Sequence, residues 1–171
     1  MKKKILLILI VFGLFAQYSI SQEAKYKASF TLSFIRYIGW PEASTKGDFV
    51  IGVLRNTEIA DMLKAQASGK KFGFQDVIIK EFKNVEEITA CQVIFISSNI
   101  NFSRNASQIM QKIGENALII GENEGAINYG AMINFVIRED KLKFEISKSN
   151  ASKAGLQISS KLGTMASAIN L

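Results

Sequence analysis

Four short apolar runs rich in β-branched residues set the strongest limit on this fold. They are Phe49–Leu54, Val77–Phe82, Val93–Ile96 and Leu118–Ile120. Each is too short for a buried helix, so each reads as a strand, and Phe49–Leu54, bounded by Gly-Asp and Arg-Asn, reads as a buried one. Between the first two, Ile59, Met62, Leu63 and Ala67 share one face of a helix. Between the last two, Ala106, Ile109, Met110 and Ile113 do the same, and Gly114 supplies a C-cap. Strands alternating with helices predict an α/β domain with a mixed, mainly parallel sheet.

The rhythm changes toward the C-terminus. Ala131–Ile137 and Leu142–Ile146 flank Arg138-Glu-Asp-Lys141, a hairpin signal, and in the second strand Leu142, Phe144 and Ile146 alternate with polar residues. Asn150 is a good N-cap for a closing helix with Ile158, Leu162, Met165 and Ile169 as its core stripe. A second stripe of small residues, Ser160, Gly163, Thr164 and Ser167, would let another backbone approach. Residues 25–34 fit two templates. Polar and apolar residues alternate as in a strand, yet Tyr26, Phe30, Phe34 and Ile38 fall four apart as on a helix that Pro41 would end at Trp40.

The start of the chain reads as an address. Three lysines precede an apolar run from Ile5 to Ala16, and small residues follow through Ser21. This pattern predicts a secretory signal peptide over residues 1–21, cut after Ser21, with residues 22–171 as one exported domain. The apolar run is shorter than the ~20 residues that span a bilayer, and no cysteine lies near the cut to carry a lipid. Three of the lysines behind the formal net charge of +6 belong to that leader. The domain that remains has no dense basic cluster, which argues against nucleic acid as a partner.

Histidine is absent, which removes the commonest general base and the usual zinc ligand. No phosphate-binding lysine loop, dinucleotide glycine fingerprint or nucleophile elbow is present. The expectation is a non-enzyme without a cofactor or metal. Cys91 is the single cysteine. At the head of an apolar strand it reads as buried and inert.

In open α/β sheets ligands gather beyond the carboxyl ends of the strands. Arg55, Asn56, Ser97 and Ser98 stand there as a candidate small-molecule site. The polar loop from Gly121 to Gly130 carries Glu122, Glu124 and Tyr129, a candidate protein-binding surface. Its two acids alone make a weak cation site.

Three stretches together resemble the YfiR family of exported regulatory proteins. They are Lys27-Ala-Ser-Phe through Phe34-Ile-Arg-Tyr-Ile-Gly-Trp40-Pro41, then Cys91-Gln-Val-Ile-Phe-Ile-Ser97, and a C-terminal set. That set comprises Gly121, Gly130-Ala-Met-Ile-Asn-Phe135, Lys143-Phe-Glu-Ile146 and Ala154-Gly-Leu-Gln-Ile-Ser-Ser160-Lys-Leu162. The resemblance implies that Lys25–Trp40 is a helix and that the domain is periplasmic with no catalytic centre. It further implies action by binding: the periplasmic region of an inner-membrane diguanylate cyclase or sensor histidine kinase as partner, with control of cyclic-di-GMP output. An outer-membrane lipoprotein is a second candidate partner and a homo-oligomer a third. Tyr37 and Trp40, as aromatic anchors, join Glu122, Glu124 and Tyr129 as candidate partner-binding residues. Relatives of the inhibitory type carry more cysteines, whereas Cys91 stands alone here, so no intrachain disulfide can form. The second reading is a periplasmic small-molecule-binding module at Arg55, Asn56, Ser97 and Ser98.

Overall fold

The ambiguous segment is a helix. In the computed structural model, which describes residues 22–170, α1 spans residues 22–35. Burial of Ala24, Ala28, Thr31, Phe34 and Ile35 follows the helical period. The helix stops five residues short of Trp40. Arg36 and Tyr37 form a turn that bonds back to Ser33 and Phe34, and β1 (Ile38–Gly39) then leaves to pair with a distant segment. Pro41 disfavours helical backbone at Trp40. The Trp40 indole N–H donates to the Ile35 carbonyl at 3.0 Å, satisfying one of the helix's terminal acceptors.

The four predicted strands are present as β2 (Phe49–Leu54), β4 (Gln75–Phe82), β5 (Val93–Ile96) and β6 (Leu118–Gly121). Their helices are α2 (Thr57–Ala67) and α3 (Phe102–Ile113). A two-residue strand, β3 (Lys71–Phe72), turns back onto β4. The hairpin comprises β7 (Ile133–Arg138) and β8 (Lys141–Ser147), and its tip residues Glu139 and Asp140 both have positive φ, as a type I′ turn requires.

The tail departs from the expected closing helix. Ser147, not Asn150, caps α4 (Lys148–Lys153), by accepting from the Asn150 N–H. Gly155, at φ +70°, redirects the chain. Then come β9 (Gln157–Ile158), α5 (Ser160–Met165) and β10 (Ala168–Asn170). The long-range partners decide this outcome: β9 pairs with β1, and β10 lies parallel to β8. Leu162 of the predicted stripe is buried, whereas Met165 and Ile169 are largely exposed.

The sheet order is β10-β8-β7-β6-β5-β2-β4-β3. From β4 to β7 every neighbouring pair is parallel, while β8, β10 and β3 run the other way. This is the mixed, mainly parallel α/β domain that the alternation predicts. Right-handed crossovers leave β2 and β5 in opposite directions along the sheet, so α2 and α3 cover opposite faces. α1 lies on the α2 face, where the Ser29 hydroxyl donates to Gln66. Its Phe30 and Phe34 join Phe95, Phe135 and Phe144 in one aromatic cluster, with Phe34 and Phe144 centroids 4.8 Å apart. On the other face Gly52 lacks a side chain because Phe82, Ile94 and Cys91 occupy that space.

Candidate functional site

Register aligns the carboxyl ends of the central strands. Leu54 pairs with Ile96, Ile96 with Gly121, and Gly121 with Asn134. The residues that follow, Arg55, Ser97 and Glu122, therefore succeed one another along a single sheet edge. α1 runs antiparallel to these strands and brings Lys27 to the same edge.

Glu122 is the hub. Its side chain is only 6% exposed. One carboxylate oxygen accepts from the Ser98 backbone N–H at 2.9 Å and the other from the Lys27 ammonium at 2.6 Å. Lys27 also reaches Glu23, one helical turn away, at 2.7 Å. Burial alone pulls the Lys27 pKa down, but the hydrogen bonds and charges of Glu122 and Glu23 outweigh it and hold the ammonium above its ordinary value.

Carboxamides hold the loop beyond Glu122. Asn123 Nδ2 donates to the Ser98 and Ile100 carbonyls, and Asn134 Nδ2 donates to the Asn123 carbonyl. Asn150 Nδ2 donates to the carbonyls of Ile127 and Ala131, at 2.8 Å each. Between these clamps Gly125 and Gly130, both at positive φ, bracket a single 3₁₀ turn over Ala126–Tyr129. The turn presents Tyr129, 48% exposed, beside Glu124, 82% exposed, whose carboxylate meets Arg138 at 3.3 Å. Asn123 Oδ1 and Asn134 Oδ1 are buried without a hydrogen-bond partner among the described residues.

The structure thus brings Ser97, Ser98, Glu122, Glu124 and Tyr129 together on one rim. Arg55 and Asn56 stand at the neighbouring strand end. Asn56 caps α2, accepting from the Ile59 N–H at 3.0 Å, and buried Ser97 accepts from the Asn99 N–H through its hydroxyl. Arg55 is exposed and held at φ +56°. Tyr37 and Trp40 lie apart from the rim, at the amino edge of the sheet. There Trp40 packs edge-on against Phe49 at 5.1 Å, and the Lys161 ammonium sits over the Tyr37 ring.

A shallow polar cleft of about 530 Å³ opens on the rim between Ser98, Asn101, Asn123, Glu124 and Tyr129. An apolar cleft of about 570 Å³ lies at the opposite, amino edge, walled by Met110, Ile113, Ile119 and Met132. None of Arg55, Asn56, Ser97 or Ser98 lines it.

Sequence reasoning located Glu122 but missed Lys27, Asn134 and Asn150. Asn134 carried a signal, being a carboxamide inside the run Ile133-Asn-Phe135 that must find partners once buried. Lys27 is an isolated charge on a helix whose face carries phenylalanines.

Cys91 is buried, and burial lifts its thiol from an ordinary 9.0 to about 12, against smaller opposing effects of the Gly52 backbone and Lys80. Among the described residues no group of three or more histidine, cysteine or acidic side chains is placed to hold a metal ion. No helix among them is long and apolar enough to cross a membrane. The expected signal peptide, residues 1–21, lies outside the described residues.

No curated protein matches this sequence. The model of the YfiR/HmsC-like family matches residues 24–167, which takes in the rim, its clamps and the helix that carries Lys27, and the chain belongs to that family.

Proposed function

We propose that the chain is a periplasmic regulatory protein that acts by binding rather than by catalysis. Its target is the periplasmic region of an inner-membrane signalling enzyme, either a diguanylate cyclase or a sensor histidine kinase. The observation that carries this reading is the family match over residues 24–167. The rim supports it in chemical terms. Its buried polar groups serve to hold the 122–130 loop still, and the groups left facing outward are an aromatic ring and a mixed-sign pair, Tyr129 with Glu124 and Arg138. A fixed aromatic surrounded by polar groups costs little ordering entropy on association, which suits a protein interface.

The test is cross-linked capture of the full-length, C-terminally tagged chain from the envelope of its own host, read by mass spectrometry. The expected result is enrichment of a cyclase or sensor kinase with an extracytoplasmic region, lost in a Glu124→Lys/Tyr129→Ala variant. Recovery of only what a denatured control recovers, with cellular cyclic-di-GMP unchanged when the gene is deleted, would overturn the reading.

A second reading rests on the polar cleft of about 530 Å³ beside Ser98 and Asn123. It makes the domain a small-molecule-binding module, and a thermal-shift screen of polar metabolites, repeated on Ser98→Ala, would reveal it.

A further inference from the structure

The amino-edge cleft of about 570 Å³ has a size that encloses a small organic molecule. Its floor is apolar. Ile119 and Met132 stand side by side at the heads of β6 and β7, where the Met132 N–H donates to the Ile119 carbonyl at 2.9 Å. Met110 and Ile113 form one wall, both from α3. Met110 is 41% exposed and lies over Gly130, where an added Cβ would meet its sulfur at 3.3 Å. Flexible thioether walls adapt to the shape of an apolar guest.

The polar groups at the mouth are mainly acceptors. Asn116 Nδ2 donates to the Ala154 carbonyl at 2.9 Å, and Asn150 Nδ2 donates to the Ile127 and Ala131 carbonyls. The engaged nitrogens fix both amides and leave each Oδ1 as an acceptor with no donor among the described residues. Both asparagines are half-buried and line the cleft. They also stand close together, because Ala154, which Asn116 holds, bonds through its N–H to the Asn150 carbonyl. Glu115 adds an exposed carboxylate without an ion-pair partner among the described residues. α3 ends at Gly114 beside the mouth, so the negative end of its dipole favours a cation there. The one cation of the lining, Lys153, is exposed, and its long stem lets the ammonium turn into water.

Acceptors above an apolar floor select a ligand that carries donors on an apolar body. A carboxylate or phosphate head would meet the like charge of Glu115 and the lone pairs of both amides. An ammonium brings three donors and no lone pair. We infer that the cleft binds a primary ammonium on a small apolar body. Glu115 and the carboxamide oxygens of Asn116 and Asn150 hold the ammonium, and Met110, Ile119 and Met132 receive the body. Two sources supply this chemistry: an aliphatic amine, and an amino acid with an apolar side chain, whose carboxylate falls to Lys153. The inference does not depend on the function proposed above, which rests on the opposite edge of the sheet.

Titration calorimetry on the protein expressed from its full-length gene tests it with three probes that share one branched chain. Isoamylamine carries only the ammonium, isocaproate only the carboxylate, and leucine both. The expected result is saturable binding of isoamylamine, leucine or both, with isocaproate weaker by at least about tenfold, the worth of one hydrogen bond to a charged group. Glu115→Lys and Met110→Lys, both at exposed positions, are each expected to weaken the ammonium probes by a similar factor with unchanged circular dichroism. Lys153→Ala separates the sources: a loss confined to leucine assigns the amino acid, and no loss assigns the amine. Absence of saturable binding by both ammonium probes, isocaproate binding as tightly as they do, or undiminished binding by Glu115→Lys and Met110→Lys would each overturn the inference.

Discussion

The Lys27 ammonium and the Glu122 carboxylate meet at 2.6 Å across 95 residues of chain, joining the first helix to the end of a central strand. Their side chains are 14% and 6% exposed, so the pair lies between a surface ion pair and a buried one. Removing Lys27 leaves the nearly buried Glu122 carboxylate with only the Ser98 N–H, and removing Glu122 leaves the Lys27 ammonium with only the more exposed Glu23. We expect Glu122→Gln or Lys27→Met to lower stability by about 2–3 kcal/mol, between the ~1 of exposed pairs and the ~3–5 of buried ones. The double variant Lys27→Met/Glu122→Gln should recover much of the loss, because neither charge of the pair then remains. Urea unfolding of the four proteins measures the coupling; single-variant losses that simply add would mean that the contact contributes nothing.

Gly52 is a second point where one atom matters. A Cβ there would lie 2.7 Å from the Phe82 ring and 2.9 Å from Ile94 Cδ1, in the middle of the sheet. Both neighbours are buried and packed, so neither can swing away freely. Gly52→Ala should cost about 1–3 kcal/mol by overpacking, although in an open strand the same change would be favourable. A thermal midpoint at or above the wild-type value would show that the site has slack.

What could be read from the chain divides along the range of the interactions involved. The strand Val93–Ile96 and the hairpin tip at Glu139–Asp140 are dictated by local composition, and they form where composition places them. The tail does not. Ile158, Leu162, Met165 and Ile169 carry a helical spacing, yet Ile158 pairs with Ile38 and Ile169 with Ile146. Those partners lie far away in sequence, and no local period encodes them. The candidate site shows the same division. Glu122 was visible as a polar residue after a strand, but its burial and its ion pair exist only because α1 folds back over the sheet. The separation of Trp40 from Tyr129 likewise follows from the antiparallel run of α1, which no spacing within either segment records.

The carboxamide clamps make the rim loop a rigid element, and Asn150 tests this. Its Nδ2 satisfies two backbone carbonyls, of Ile127 and Ala131, which flank Tyr129. Asn150→Ala leaves both without this donor, at a cost of about 1–3 kcal/mol. The effect should be local as well as global: amides of 126–131 should exchange faster than those of β5 by more than the global loss explains. If the rim is the partner surface, the same variant should weaken capture of the partner without touching any contact. Uniform acceleration of exchange across the sheet would show that Asn150 is merely a core residue.

Alkaline pH probes two buried groups whose signs agree. The Cys91 thiol holds its proton to about 12 in the folded chain, mainly through burial, against an ordinary 9.0 when unfolded. Between those values the folded state binds one more proton than the unfolded state, so stability falls as pH rises, by about 1.4 kcal/mol per pH unit. Lys27 is likewise held above its ordinary 10.5. Its contribution is complete below 10.5 and is lost as pH climbs through the higher folded value. Stability should therefore begin to decline near pH 9 and steepen beyond 10.5. Cys91→Ala should flatten the interval from 9 to 10.5 while lowering the plateau slightly, and Lys27→Met should lower the plateau and flatten only the part beyond 10.5. Urea midpoints at half-unit pH steps separate the two, and a Cys91→Ala profile parallel to wild type from pH 8 to 10 would show that the thiol titrates as though exposed. A native chain would then react readily with a thiol reagent at pH 8, whereas the buried geometry predicts labelling only at the rate of unfolding.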